Sequence, residues 1–176
     1  MGRKNKKTKK QKKLSGITPG TRKIPLKSQS DTEFQKAVQY HQTGQFEKAE
    51  KIYKKILETD PAHGDALHLS GILYHQTGKK DLAAELIQQA IRINPRPHYH
   101  NNLGIVFQDQ GQTDKAIRCY QNALEIRPDF ADAYNNMGFA LQDQKRLDEA
   151  VSCYQKAIQL KPDYADAYNN LGTAFK

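Results

Sequence analysis

Apolar residues recur along most of this chain at intervals of three and four, the period of a helix that is buried on one face. One stretch places five of them together: Phe46, Ala49, Ile52, Tyr53 and Ile56. This pattern predicts an amphipathic helix over about residues 46–58. Pro61 ends the element, because the residue before a proline avoids the α region.

A second helix is predicted just before the first. Ser30 or Asp31 can cap a helix that runs to about Gln42. The turn between the two helices contains Gly44, which accepts a left-handed conformation without steric cost. The local unit is therefore a helical hairpin closed by a proline.

The same hairpin is copied along the chain. Residues 132–136 (Asp-Ala-Tyr-Asn-Asn) return 34 residues later as residues 166–170. Prolines close four units at intervals of 34, 33 and 34 residues, and small residues recur in register with them: Pro61, Pro95, Pro128 and Pro162; Ala37, Gly71, Gly104, Gly138 and Gly172; Ala49, Ala83, Ala116 and Ala150. A fixed period in this range indicates one supersecondary unit that stacks on its neighbours.

The repeated signature resembles the tetratricopeptide repeat, whose pattern joins a bulky residue, Leu-Gly, a Tyr-like residue, Ala with an aromatic residue four later, and Pro. The fourth unit shows it as Tyr134, Met137, Gly138, Leu141, Ala150, Tyr154 and Pro162. The array is similar to the repeat region of protein O-GlcNAc transferases and to bacterial proteins with many such repeats. This resemblance implies an all-α fold, a right-handed α-solenoid over residues 31–176, with units at about 31–63, 64–96, 97–130, 131–164 and a partial unit at 165–176.

Two features of the repeat predict local structure. Glycine inside a helix costs about 1 kcal/mol relative to alanine, so its recurrence at positions 71, 104, 138 and 172 predicts a bulky neighbour close to the backbone. In the fourth unit Lys145 stands where the earlier turns have glycine. That turn is expected to be strained or differently shaped.

Polar residues of the first helices are the candidate binding residues, because stacked hairpins form a concave groove. Asparagine is a poor helix former, yet it occurs in tandem in three units. A primary amide has one acceptor and two donors, so it can pair with a peptide C=O and N–H together. We therefore expect a peptide-binding surface that includes Asn101, Asn102, Asn135, Asn136, Asn169, Asn170, Gln108, Gln142, Asp109 and Asp143.

The resemblance to O-GlcNAc transferases implies that Asn102, Asn136 and Asn170 form an asparagine ladder that holds an extended polypeptide by its backbone. Leu69 and Gln35 stand at the corresponding positions of the second and first units. The alternative is that these amides are ordinary solvated residues copied by duplication. A cationic clamp for a terminal carboxylate is not expected, since the groove positions offer no cluster of Lys or Arg.

Charge is concentrated at the N-terminus, although the net charge of the chain is +9. Residues 1–30 hold 11 Lys and Arg and no acidic residue, which leaves 17 basic against 19 acidic residues in 31–176. Their low apolar content predicts a disordered tail. A solubilising tail, an electrostatic arm for nucleic acid or an anionic surface through residues 1–13, and a nuclear-import signal all remain open.

No catalytic, cofactor-binding or metal-binding motif is found in the sequence. Cys119 and Cys153 lie 34 residues apart and are expected to be reduced core thiols. His98 and His100 fall on different helix faces, so a metal pair is not expected. No apolar run predicts a signal peptide or a membrane span, and a cytoplasmic location is expected.

Three functions fit these observations. The leading one is a scaffold that binds a polypeptide segment of a partner protein. The second is the substrate-recruiting arm of a larger enzyme, such as an O-GlcNAc-type glycosyltransferase. The third is a nucleic-acid or ribosome-associated factor that uses the basic tail. The last helix still presents Tyr168, Leu171 and Gly172 to a missing neighbour, which predicts that the natural protein is longer.

Overall fold

A computed structural model describes the backbone of residues 26–174 and the side chains of residues 31–174. All regular secondary structure in these residues is helical. The helices are α1 (Leu26–Gln42), α2 (Phe46–Thr59), α3 (Gly64–Gln76), α4 (Lys80–Ile93), α5 (Pro97–Asp109), α6 (Thr113–Ile126), α7 (Ala131–Asp143), α8 (Leu147–Leu160) and α9 (Ala165–Ala174). The predicted all-α repeat fold is confirmed.

The first helix begins earlier than its sequence predicted. We expected a cap at Ser30 or Asp31, whereas α1 starts at Leu26. Pro25 directly precedes that residue. Proline is excluded from a helix interior but is well tolerated where a helix begins, and no proline or glycine separates Pro25 from Asp31. The helix therefore extends back to the proline, and the prediction of a cap at Ser30 or Asp31 was wrong.

The helices alternate between two layers. The first helices of the hairpins are α1, α3, α5, α7 and α9, and the second helices are α2, α4, α6 and α8. Within the described residues each first helix contacts the next first helix, whereas no second helix contacts the next second helix. The second helices therefore spread apart on the outer side, and the first helices line the inner, concave side of the stack.

A tyrosine of the second helix packs directly on the glycine of the first. A Cβ added to Gly104 would lie 2.5 Å from Cε1 of Tyr120, and one added to Gly138 would lie 2.7 Å from Cε1 of Tyr154. In the second unit Ile87 takes this place, 2.6 Å from the corresponding point on Gly71. The predicted close neighbour is thus confirmed and identified at these three glycines. At Gly172 the prediction was wrong: nothing lies within 4 Å of the added Cβ, because no second helix follows α9 among the described residues.

Tyr99 compensates for the shortened connection before the third unit. Its side chain is fully buried, although the matching positions in neighbouring units hold only alanine. The Tyr99 hydroxyl donates to Oδ1 of Asp65 at 2.5 Å. In the fifth unit Tyr164, which belongs to the preceding loop, interacts with Asp132, and burial together with this carboxylate raises the pKa of Tyr164. A helix residue therefore replaces the loop residue that the shorter connection cannot supply.

The fourth turn has the same shape as the others and is strained. Lys145 has a φ of 62°, close to the 73°, 81° and 72° of Gly44, Gly78 and Gly111. A side chain in this left-handed region costs roughly 1–2 kcal/mol. Of the two predicted alternatives, strain rather than a different turn is observed.

Replacing Gly104 with alanine tests the close packing on Tyr120. We expect Gly104→Ala to lower the free energy of unfolding by about 1–3 kcal/mol, because the buried ring must move away from the new methyl group. Gly172→Ala is the matched control. Nothing lies within 4 Å of its added Cβ, so helix propensity alone predicts a gain of up to about 1 kcal/mol. Denaturant unfolding of both variants measures the contrast; equal effects would refute the packing.

Replacing Lys145 with glycine tests the strained turn. Lys145→Gly relieves the left-handed conformation, and the greater entropy of the unfolded chain offsets part of the gain. We expect the free energy of unfolding to rise by about 0.5–1 kcal/mol. The reciprocal change Gly111→Lys, in an equivalent turn, is expected to lower it by a similar amount. Denaturant unfolding in which Lys145→Gly destabilises the protein would contradict the assignment of strain.

Candidate functional site

Hydrogen bonds between asparagine side chains connect successive first helices along the groove. Nδ2 of Asn136 on α7 donates to Oδ1 of Asn101 on α5 at 3.1 Å. Nδ2 of Asn170 on α9 donates to Oδ1 of Asn135 on α7 at 3.0 Å. Each bond runs from the second asparagine of one pair to the first asparagine of the preceding pair, so the amides form a continuous row.

The two asparagines of a pair have different environments. Asn101 and Asn135 are buried, with exposed fractions of 6% and 7%. Asn102, Asn136 and Asn170 are only half-buried, and Asn169, at the end of the described stack, is exposed. Asn136 and Asn170 each give one N–H to the row, which leaves the carbonyl oxygen and the other N–H of each amide for a ligand. The buried first asparagine of one pair thus positions the second asparagine of the following pair.

His68 continues the row into the second unit. Nδ2 of Asn102 lies 3.0 Å from Nε2 of His68. Because an amide nitrogen only donates, Nε2 accepts and the ring proton resides on Nδ1. Burial, reinforced by the neighbouring His98, lowers the pKa of His68 to about 3, so the ring stays neutral. Sequence reasoning placed His68 in the groove but not among the binding residues, although it precedes Gly71 by three residues as Asn101 precedes Gly104.

Glutamines near the C-terminal ends of α5 and α7 are held by tyrosines of the second helices. The hydroxyls of Tyr120 and Tyr154 donate to Oε1 of Gln108 and of Gln142, each at 2.9 Å. Nε2 of Gln108 in turn donates to Oδ2 of Asp143 at 3.3 Å. The tyrosines that pack on glycine therefore also orient two of the predicted groove residues.

Asp109 and Asp143 lie in the same outer part of the groove, and both are exposed. Nε2 of His75 is 2.6 Å from Oδ2 of Asp109, which joins α3 to α5 as Gln108 joins α5 to α7. The structure thus brings the predicted residues together in two rows, one of asparagines and one of glutamines and aspartates.

The groove contains two different depressions. The one between α7 and α9 has a volume of about 390 Å³ and is polar apart from one ring; it is lined by Asn135, Asn136, Phe139, Asp166, Asn169 and Asn170. The one between α1 and α3 has a volume of about 360 Å³, and its lining includes Val38, Phe46, Leu69, His41 and Gln76. The C-terminal half of the groove is thus built for hydrogen bonding and the N-terminal half for apolar contact.

Other candidate chemistry is confined to buried groups. Cys119 and Cys153 are free and buried, and burial raises the pKa of each thiol to about 11. In the described part of the chain no three His, Cys, Asp or Glu side chains are grouped as metal ligands. None of the helices in residues 26–174 is long and apolar enough to cross a membrane. The expected contact through residues 1–13 lies outside the described residues.

The buried histidine makes stability depend on pH. Above its ordinary pKa of 6.5 His68 is neutral in both states. As pH falls from 6.5 towards about 3, the unfolded chain takes up a proton that the folded one excludes, so the free energy of unfolding declines by up to about 1.4 kcal/mol per pH unit. His68→Asn places an amide where the later units have one, and it removes this pH dependence of the free energy of unfolding.

Between pH 6.5 and about pH 5 we expect the wild-type chain to lose about 1.6 kcal/mol more than His68→Asn. Denaturant unfolding at the two pH values measures the difference, and all other titrating groups cancel in the comparison. Parallel stability curves for the two proteins would contradict the burial of a neutral His68.

Comparisons with known proteins agree with this architecture. Residues 40–103 match the family described as "Tetratricopeptide repeat", and residues 104–145 and 143–176 match "TPR repeat". The auxiliary subunit NAA15 of the N-terminal acetyltransferase A complex from Arabidopsis thaliana is 29% identical over 97 residues, which are 54% of this chain and 11% of that protein. The chain spans little more than a tenth of the length of the curated relatives it matches.

Two solved structures share the fold. One is YrrB, described as a TPR protein with an unusual peptide-binding site. Its TM-score is 0.71 and its sequence identity 24%, and the match covers 85% of this chain and 78% of that chain. The other is an O-GlcNAc transferase from Thermobaculum terrenum, whose TM-score is 0.73 and whose sequence identity is 26%; the match covers 77% of this chain and 27% of that chain. The described residues therefore form a non-catalytic scaffold fold for protein interaction, and the chain belongs to the tetratricopeptide repeat family.

Proposed function

We propose that this chain binds an extended polypeptide segment of a partner protein in the groove of its first helices. The observation that carries the proposal is the state of the ladder amides. Asn136 and Asn170 are half-buried, held by one bond each to the preceding unit, and retain one donor and one acceptor. A fixed donor and acceptor side by side match the N–H and C=O of a peptide backbone.

The spacing of the ladder favours a particular backbone conformation. Packed helices lie about 8–10 Å apart, so successive ladder amides repeat at about that distance. A polyproline II segment has three residues per turn and rises about 3.1 Å per residue. One turn, roughly 9 Å, therefore brings the same face of the segment to each amide. Because this conformation has no internal hydrogen bonds, all of its backbone groups are available to the ladder.

A second candidate function uses the same groove. The chain could recruit polypeptide substrates for a larger enzyme such as an O-GlcNAc-type glycosyltransferase. The observation in its favour is the likeness to the O-GlcNAc transferase, in which the matched repeats make up 27% of that chain. The full open reading frame of the natural gene separates the two candidates, since only the second requires a catalytic domain beside the repeats.

Replacing Asn102, Asn136 and Asn170 together by alanine tests the ladder. The probe is an unstructured Gln/Ala peptide, and its binding is followed by NMR from the side-chain amide signals of the ladder asparagines and from backbone amide signals along the groove. Each hydrogen bond contributes about 0.5–1.5 kcal/mol, so we expect the triple variant to bind at least about tenfold more weakly.

Asn122→Ala is the matched control, because Asn122 is exposed on the second helix α6. Its affinity for the probe is expected to equal that of the wild-type chain. Helicity measured by circular dichroism confirms that the triple variant is folded. A folded triple variant with undiminished affinity would rule out backbone recognition by the ladder.

A further inference from the structure

Basic residues are absent from the inner layer of helices from α3 onward. The first helices α3, α5, α7 and α9 contain no Lys or Arg, whereas each of the second helices α2, α4, α6 and α8 contains at least one. The acidic residues of those four first helices are Asp65, Asp109, Asp132, Asp143 and Asp166. From α3 onward the inner layer is therefore purely anionic, although residues 31–176 as a whole are nearly neutral.

The aspartates of the N-terminal half already have partners. Nη1 of Arg96 lies 2.9 Å from Oδ1 of Asp65, and His75 lies against Asp109. Lys80 donates to the backbone carbonyl of Asp109 at 2.6 Å. In contrast, no salt bridge joins Asp143 or Asp166 to a cation among the described residues. The unpaired negative charge thus lies in the C-terminal half, where the ladder amides are.

Phe139 lies in this half and lacks a cation as well. Other rings at the repeat junctions are covered: the guanidinium of Arg127 is 3.4 Å from the ring centre of Phe130, and Nζ of Lys161 is 4.5 Å from that of Tyr164. Within the described residues no Lys or Arg lies over Phe139, which is 46% exposed.

The ring and one carboxylate belong to one surface. Asp166 lines the same depression as Phe139 and the ladder amides Asn136 and Asn170. Asp143 does not line this depression, and its carboxylate accepts a hydrogen bond from Gln108 of α5. An aromatic face beside a carboxylate attracts a cation through the ring quadrupole and the charge together.

We propose that the depression between α7 and α9 binds a cationic side chain, arginine in preference to lysine, of the polypeptide segment held by the ladder. This inference rests on the proposed groove binding and names the chemistry of the partner. Arginine is favoured because its planar group both stacks on a ring and pairs with carboxylates. The backbone of the segment lies on Asn136 and Asn170, and its cationic side chain lies between Phe139 and Asp166.

The test uses the full chain and a set of unstructured Ser/Ala peptides that differ only at a central residue. That residue is arginine, citrulline (the neutral counterpart of arginine), lysine or glutamate. Affinity is measured by fluorescence anisotropy at low salt. Exposed ion pairs and a cation–π contact are individually weak, and together they predict that the arginine peptide binds about tenfold tighter than the citrulline peptide. The lysine peptide is expected to fall between them.

Variants locate the effect. In Asp166→Asn, and separately in Phe139→Leu, the preference for arginine over citrulline is expected to shrink to about twofold or less. Asp148→Asn is the matched control, because it removes the same charge at an exposed position of a second helix. It is expected to keep the full preference. Raising the salt to about 0.15 M is expected to weaken the preference in the wild-type chain.

The remaining outcomes separate the two proposals. If arginine and citrulline peptides bind equally and the ladder variant weakens both, the cation site is wrong and groove binding stands. If neither peptide responds to the ladder variant, both proposals fail. The basic residues 1–13 of the chain itself are the competing occupant. Tighter binding of the arginine peptide after their deletion would assign the site to the chain's own cations and overturn the assignment to a partner.

Discussion

Contact between a tyrosine ring and a glycine backbone sets the geometry on which the repeat depends. Tyr120 and Tyr154 lie so close to the first helix that no Cβ fits there, and this fixes the separation of the two helices in a hairpin. The same side chains donate from their hydroxyls to Gln108 and Gln142. A core contact on one side of the first helix thereby determines the orientation of a groove residue on the other.

The asparagine pairs set the alignment of successive hairpins. A buried amide must be hydrogen-bonded, since an unsatisfied polar group costs about 1–3 kcal/mol. Asn101 and Asn135 meet this requirement by accepting from the following unit, which aligns neighbouring first helices. The donating asparagine needs only one of its N–H groups for that bond. Structure and recognition therefore draw on different atoms of the same amide row, and neither role excludes the other.

Sequence reasoning captured the features that the repeat period determines and missed those that depend on how units pack. The fold, the glycine contact and the strain at Lys145 follow from comparing copies. Which asparagine of a pair is buried does not follow from that comparison. Adjacent residues of a helix point in different directions, and the twist between units decides which of the two faces the neighbouring helix. The hydrogen-bonding role of His68 and the burial of Tyr99 were missed because each residue departs from the residue type of its copies. The start of α1 was wrong because a capping residue was weighed above Pro25.

Net charge is a poor guide to what such a groove binds. Lys and Arg in the connections between helices nearly balance the aspartates of the inner layer over residues 31–176, yet that layer from α3 onward is anionic. At physiological ionic strength the Debye length is about 8 Å, close to the 8–10 Å between packed helices. Each aspartate therefore acts mainly within its own unit, and the charges of the connections do not neutralise it for a ligand in direct contact. A groove of this kind distinguishes ligands unit by unit, through which residue of the segment meets which depression, and not through the total charge of the partner.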